Sequence, residues 1–440
     1  MTAAALFDQV RDVVLKDAPI TDELRVGLGT LRDDDRGQAA ANRAIYQVMR
    51  TPPGTRFHLR KLWRLGEAGG PTGPVAEFVS YVSFARGVQA HSRTSGIDLL
   101  SVEELAGQAG ELRAILAETE ALFPGTGSNL LHRSKIESLT DRQAATATLG
   151  QARALSPRFF RRLRFDEGAH TYLPSAEVAA EPPAYAMEAA LPSLRAGLAA
   201  RAERFASPKA NLLWSMNPRF LRAHGPQWFD LAAALIASYG LGMIVLMVGE
   251  PDEVAPLVEE ARDLIARTAR FHGAAAPEDI ARSVVFATLP LPAYVAAPVT
   301  FYACARYLHA RQVIAETGVP AVVLDADFTP KHPFDSMLAF AGQGDVAFPV
   351  SRGLAGLSPW RRYIAMTGYF NVTPGAARFL ELTERYLLHG LGRPSSWMLD
   401  QNALDHAATT LKGEVAFRNL NLTTRPGGQD PIRKANEHPV

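Results

Sequence analysis

The stretch Ala321-Val322-Val323-Leu324-Asp325-Ala326-Asp327-Phe328-Thr329 decides how this chain of 440 residues folds. Its first four residues are apolar and follow Gly318 and Pro320, which reads as a short central strand buried on both faces. Two carboxylates one residue apart close it. Upstream, the apolar run Ala210–Met216 is followed by a helix over Trp228–Tyr239, a Gly turn and a strand over Met243–Val248. A charged amphipathic helix (Asp252–Arg270), a strand (Ser283–Leu289) and a helix (Pro298–Thr317) lead into the quoted stretch. Strand and helix alternate four times, the pattern of a mostly parallel α/β sheet. Such sheets take ligands at the carboxyl ends of their strands, so chemistry is expected just after Leu324.

At a strand exit the strict alternation of side chains relaxes, and Asp325 and Asp327 can turn toward one cation. Hard carboxylate oxygens suit Mg²⁺ or Mn²⁺, which in turn bridge phosphates. The plainer account is a pair of loop-capping aspartates. Downstream, Asp345-Val346-Ala347-Phe348-Pro349 reads as another strand. Tyr363-Ile364-Ala365-Met366-Thr367-Gly368-Tyr369-Phe370-Asn371-Val372-Thr373-Pro374 reads as a strand and turn, and Gly375–Leu388 as a helix. Trp397-Met398-Leu399-Asp400-Gln401-Asn402 then sets an aromatic before an Asp-Gln pair at a helix start, where Asp400 has the ordinary alternative of an N-cap.

Two families share the motif. Val322-Val323-Leu324-Asp325-Ala326-Asp327-Phe328-Thr329 resembles the first motif of haloacid-dehalogenase-like phosphatases, which would make Asp325 a covalent nucleophile. It also resembles the Asp-x-Asp motif of GT-A-fold glycosyltransferases. Three strand–helix units precede it and no clear later acidic pair follows, which favours the second resemblance over roughly Lys209 to Leu420. That resemblance implies transfer of a sugar from a nucleoside-diphosphate sugar, a UDP-sugar first among them, to a hydroxyl on a protein, lipid or polysaccharide. It implies Mn²⁺ or Mg²⁺ on Asp325 and Asp327. Phe301-Tyr302-Ala303-Cys304-Ala305-Arg306-Tyr307 is similar to the helix from which a basic residue reaches the donor, giving Arg306, with Arg311 as its substitute. Gly368, Phe370 and Asn371 would shape the sugar pocket. Asp400 and Gln401 would serve as catalytic residues at the anomeric carbon or the acceptor, with retention of configuration expected. Retaining relatives add a C-terminal His as third ligand, for which only His406 and His438 stand available.

The rest of the chain is less specific. Ala3–Lys16, Gln38–Arg50, Val75–Ser92 and Val102–Leu122 have apolar residues at helical spacing, with a capping box at Ser101-Val102-Glu103-Glu104 and breakers at Pro52-Pro53-Gly54 and Gly69-Gly70-Pro71. Arg158-Phe159-Phe160-Arg161-Arg162-Leu163-Arg164-Phe165 is basic and aromatic, read as a short helix with solvated arginines. The expected division is an all-helical accessory domain over 1–182, a GT-A-like α/β domain over 183–425 and a polar tail over 426–440. Lys+Arg of 46 against Asp+Glu of 45 leave a net charge of +1, with no global pull toward nucleic acid. The single cysteine, Cys304, reads as a core residue, excludes an internal disulfide and suggests a reducing, cytoplasmic setting. The uncharged run Leu231–Gly249 is broken by Gly240 and Gly242, so a transmembrane segment is not expected. A non-catalytic helical scaffold carrying a degenerate nucleotide-sugar domain is the remaining alternative.

Overall fold

The computed structural model describes residues 73–95, 101–160, 166–330, 335–394, 397–420 and 432–434. The expected helices Ala3–Lys16 and Gln38–Arg50, their breakers, Arg161–Phe165, the tail from Thr423 to Thr424 and its Arg425-Pro426-Gly427-Gly428, and His438 lie outside these. Contacts divide the chain into two units, one of residues 1–176 with 351–362, the other of 177–350 with 363–440.

The second unit holds a mixed sheet of seven strands in the order β3-β2-β1-β4-β7-β6-β8. They are β1 (Asn211–Met216), β2 (Gly242–Val248), β3 (Val284–Leu289), β4 (Ala321–Leu324), β6 (Val346–Phe348), β7 (Thr367–Phe370) and β8 (Phe417–Asn419). The first four in this order pair in parallel. Every residue of β1, β2 and β4 is buried. Helices cover both faces of such strands, which is why they read as unbroken apolar runs rather than alternating ones. The run Leu231–Gly249 resolves into the end of the helix Pro218–Ala233, a π-turn over Ala234–Ser238, a left-handed Gly240 and β2. Among the described residues no helix is long and apolar enough to cross a membrane.

β7 runs antiparallel to β4, with Leu324 opposite Thr367 and Ala321 opposite Phe370. β6 is antiparallel to β7 and parallel to β8. A further strand, β5 (Phe328–Pro330), pairs antiparallel with β9 (Ile432–Lys434), so the described piece of the C-terminal segment lies against the residues that follow Asp327.

Among its described residues the first unit has helices and no strand. Its helices Gly73–Ser95, Ala109–Leu122 and Gly127–Glu137 bring Phe84, Val88, Leu112, Leu116 and Ile136 into one core, which Leu357 of the 351–362 segment completes. The capping box is present: Ser101 N donates to Glu104 Oε2 at 2.7 Å and Glu104 N to Ser101 Oγ at 3.3 Å. The continuous helix expected over Val102–Leu122 is instead two, broken at Gln108 between Gly107 and Gly110. Two glycines in four residues weaken a helix by about 1 kcal/mol each, enough to locate the break.

Candidate functional site

The carboxyl ends of β1 and β4 open into a cavity of about 440 Å³, entirely within the second unit. Ser215 and Met216 come from β1, Asp325, Ala326 and Asp327 from the exit of β4, and Val299 to Arg306 from the helix Pro298–Thr317. Ile364, Ala365 and Met366 contribute from the approach to β7, and Trp397 to Gln401 from the start of the helix Leu399–Thr410.

Arg306 is the hub. It is 2% exposed, and its Nη2 lies 2.6 Å from Asp325 Oδ1 and 3.5 Å from Asp400 Oδ2. The same nitrogen donates to the Ala365 carbonyl at 3.0 Å, and the buried Tyr307 hydroxyl donates to that carbonyl at 2.7 Å. Arg306 N donates to Ser215 Oγ at 3.1 Å, and that hydroxyl donates to the Tyr302 carbonyl. The loop after β4 is fixed through its backbone: Asp325 N donates to Met366 O at 2.8 Å and Trp228 Nε1 to Ala326 O at 2.9 Å.

These charges perturb one another. Burial pushes the Asp325 carboxyl up to about 6, with Asp400 and Asp327 adding to the rise and Arg306 opposing it. Asp325 keeps 31% of its side-chain surface accessible, yet its carboxyl is set deep enough to be desolvated. Asp400 is raised by burial, with Arg306 again opposing. Burial alone would lower Arg306, but Asp325 and Asp400 hold its guanidinium above its ordinary value. Asp327 is half-buried with no hydrogen-bond or ion-pair partner among the described residues. The thiol of Cys304, 1% exposed, is pushed well up by burial, as a core cysteine's would be.

Five of the residues singled out from sequence therefore line one cavity: Arg306, Asp325, Asp327, Asp400 and Gln401. Gly368, Phe370 and Asn371 do not, and the direction of β7 is the reason. In an antiparallel neighbour the residues that precede the strand meet the exit of β4, while those that follow it lie at the opposite end. Gly368 packs tightly on the Phe348 ring, where a Cβ would collide. Phe370 is fully buried, its ring edge-on to Phe348 with centroids 5.2 Å apart. Asn371 Nδ2 donates to Gly344 O at 3.0 Å and Gly342 O at 3.3 Å, bracing a turn. Arg311 pairs with Glu384 at 2.7 Å, and His406 packs on Tyr386 with ring centroids 5.3 Å apart; neither lines the cavity. Asp400 is not a cap, because it stands in the first turn after the N-cap Met398. Sequence reasoning assigned no role to Ser215 or Tyr307. Ser215 carried a signal, as the one hydroxyl in the otherwise apolar end of a buried strand.

Asp325 and Asp327 are a donor set suited to a divalent cation. Mg²⁺ and Mn²⁺ are commonly held by one or two carboxylates, with water and substrate phosphate completing the shell. No group of three or more His, Cys, Asp or Glu residues placed to hold a metal occurs among the described residues. The three carboxylates of the lining against one guanidinium leave the cavity formally two charges negative, which a divalent ion would balance.

No family model and no curated protein matches the chain. Among solved structures, mouse xyloside xylosyltransferase 1 in its apo form is similar over 52% of this chain and 98% of that chain, with a TM-score of 0.28 and 10% identity. A likeness that slight carries no argument about function.

Proposed function

We propose that the second unit is a glycosyltransferase. It moves a sugar from a nucleoside-diphosphate donor, a UDP-sugar first among candidates, to a hydroxyl acceptor, assisted by Mn²⁺ or Mg²⁺ and with retention of configuration. The observation that carries this reading is the buried guanidinium of Arg306 paired with both Asp325 and Asp400, with Asp327, which has no partner among the described residues, lining the same cavity. Among the described residues the buried Nε of Arg306 has no hydrogen-bond partner, one donor of this fixed cation that they leave unused.

In the reaction the bond from the anomeric carbon to the diphosphate oxygen breaks and a bond from that carbon to the acceptor oxygen forms. The acceptor proton leaves with the diphosphate. Asp327 and the second oxygen of Asp325 would hold the cation, which when bound supplies Lewis-acid stabilisation of the leaving diphosphate. Arg306 keeps Asp325 and Asp400 charged at close quarters and adds a preorganised positive charge. Asp400 meets the same Arg306 Nη2 as Asp325, and with Gln401 it is assigned to the sugar and acceptor side. Tyr307 and Ser215 fix Arg306 and the Ala365 carbonyl it touches.

Thermal unfolding of the full chain with UDP-, GDP- and CMP-sugars, with and without Mn²⁺, tests this. A donor at about 100 times its Kd should stabilise by about 2.7 kcal/mol. The shift should require Mn²⁺ and vanish in Asp327→Ala, which removes a side chain with no partner among the described residues and should fold. No shift with any donor, together with a shift on beryllofluoride, would return the site to a phosphatase with Asp325 as nucleophile.

A further inference from the structure

We propose that Ser215 is a positioning residue that acts through Arg306. Its hydroxyl, carried on β1, bridges the backbone of the helix Pro298–Thr317 and sets where the guanidinium lies. The proposal deepens the transferase reading above, on which only its kinetic test rests. In a regular helix the N–H of residue 306 donates to the carbonyl of residue 302. Here Arg306 N donates to Ser215 Oγ at 3.1 Å, and the same hydroxyl donates to the Tyr302 carbonyl. One serine thus links, from a different element, the two groups that such a turn joins directly. A side chain inserted into that ladder is a known cause of local helix distortion.

The alternation of β1 explains why this hydroxyl reaches the helix. Leu212, Trp214 and Met216 share one core cluster with Trp228 and Phe229 of the helix Pro218–Ala233. Successive side chains of a strand point to opposite faces, so Ser215 faces the other way. It is 5% exposed, and it lines the cavity together with Tyr302 and Arg306. The bridge therefore lies in the cavity wall, at the backbone of the residue whose Nη2 meets Asp325 and Asp400.

A hydroxyl that only supported the fold would be there to satisfy a buried polar group. Tyr302 O and Arg306 N do not need it for that, because they are each other's ordinary helical partners. Deleting the hydroxyl lets the turn close and leaves neither group unpaired. What the deletion changes is the place of Arg306. The tip of its side chain is held by Asp325 at 2.6 Å, Asp400 at 3.5 Å and the Ala365 carbonyl at 3.0 Å. Ser215 fixes the other end, at the backbone. A guanidinium held at both ends is preorganised, which is what makes a buried charge useful at a reacting centre. Misplacing such a group by about 1 Å costs about a hundredfold in rate.

The experiment uses the full chain as wild type, Ser215→Ala and Ser215→Thr, with arginine labelled at Nε for NMR. The Arg306 Nε–H signal is assigned by its absence from Arg306→Lys. Ser215→Ala should move that signal while the midpoint of thermal unfolding stays close to that of the wild type. Ser215→Thr keeps the hydroxyl and should return the signal toward its wild-type position. With the donor found in the nucleotide-sugar screen, Ser215→Ala should lower kcat about tenfold and leave KM little changed. An Arg306 signal that Ser215→Ala leaves in place overturns the proposal, and so does one that Ser215→Thr fails to return. A lowered unfolding midpoint with the signal unmoved would mark a hydroxyl that only supports the fold. An unchanged kcat would overturn the role in the reaction. If no nucleotide sugar binds, the transferase reading fails by itself, and the signal and the midpoint still decide whether Ser215 positions Arg306.

Discussion

Arg306 shows how much a single residue can organise. One guanidinium satisfies two carboxylates and a carbonyl, and each of these groups was desolvated in making the cavity. Removing one member of a buried ion cluster costs far more than the cluster contributes, because the remaining charges are left unpaired. Arg306→Ala should therefore destabilise the second unit by about 3 kcal/mol at pH 7.5. The loss should shrink at pH 5. Asp325 already titrates at about 6 with its partner present, and without it both carboxyls protonate more readily. Denaturant titrations at the two pH values check this, and a loss independent of pH would mean that packing of the arginine stem dominates.

At the scale of elements, the helix Pro298–Thr317 matters on two faces. One turn after Arg306 it carries His309, fully buried, whose Nδ1 lies 2.7 Å from Gln312 Oε1 and whose Nε2 lies 2.8 Å from the Tyr185 hydroxyl. An amide oxygen can only accept, so Nδ1 carries the proton and Nε2 accepts from tyrosine. Burial pushes this imidazole down to about 4. An unfolded imidazole titrates near 6.5, so below that pH the unfolded chain binds a proton the folded one refuses. Stability is present above about 6.5 and is lost as pH falls toward about 4. From pH 7 to pH 5 the loss should be about 2 kcal/mol. His309→Gln should flatten the pH dependence by that amount, and an unchanged slope would assign it to other groups.

At the scale of the whole molecule, the twelve-residue segment 351–362 leaves the sheet unit after Val350 and belongs to the helical one. Within that unit Asp166 is fully buried. It accepts from Tyr81 at 2.7 Å, Lys135 at 2.8 Å and Trp360 Nε1 at 2.9 Å. Burial pushes the Asp166 carboxyl up, but Lys135 and Tyr81 together hold it below the ordinary value. Arg362 secures the end of the segment through Ser138 Oγ at 2.9 Å and Gly356 O at 3.2 Å. Asp166→Asn strands a buried ammonium and should cost about 3 kcal/mol. Hydrogen exchange on the full chain should show protection falling in the helices Gly73–Ser95 and Gly127–Glu137, with β1 to β3 unchanged. Trp360→Ala should repeat that pattern from a position 194 residues away in sequence. Protection lost evenly across the chain would show that the segment is no part of the helical unit's own core.

What the sequence determined by itself is the set of elements whose signal is local. β1 to β4 were legible because a strand covered on both faces is an apolar run bounded by breakers, and the carboxylate pair was legible because it interrupts such a run at its exit. The helix Pro298–Thr317 has the bounds its pattern implies, and Arg306 on it, with Asp325, Asp327, Asp400 and Gln401, lines the cavity at that exit. Strand direction has no local signature. β7 reads the same parallel or antiparallel, and its pairing with β4 brings Ile364, Ala365 and Met366 to the cavity in place of Gly368, Phe370 and Asn371. Nor does any local pattern show that 351–362 completes a core begun before residue 90, or that Trp397 stays in the open while every other described tryptophan is buried. Those outcomes depend on which distant surfaces meet, and only the folded chain decides that.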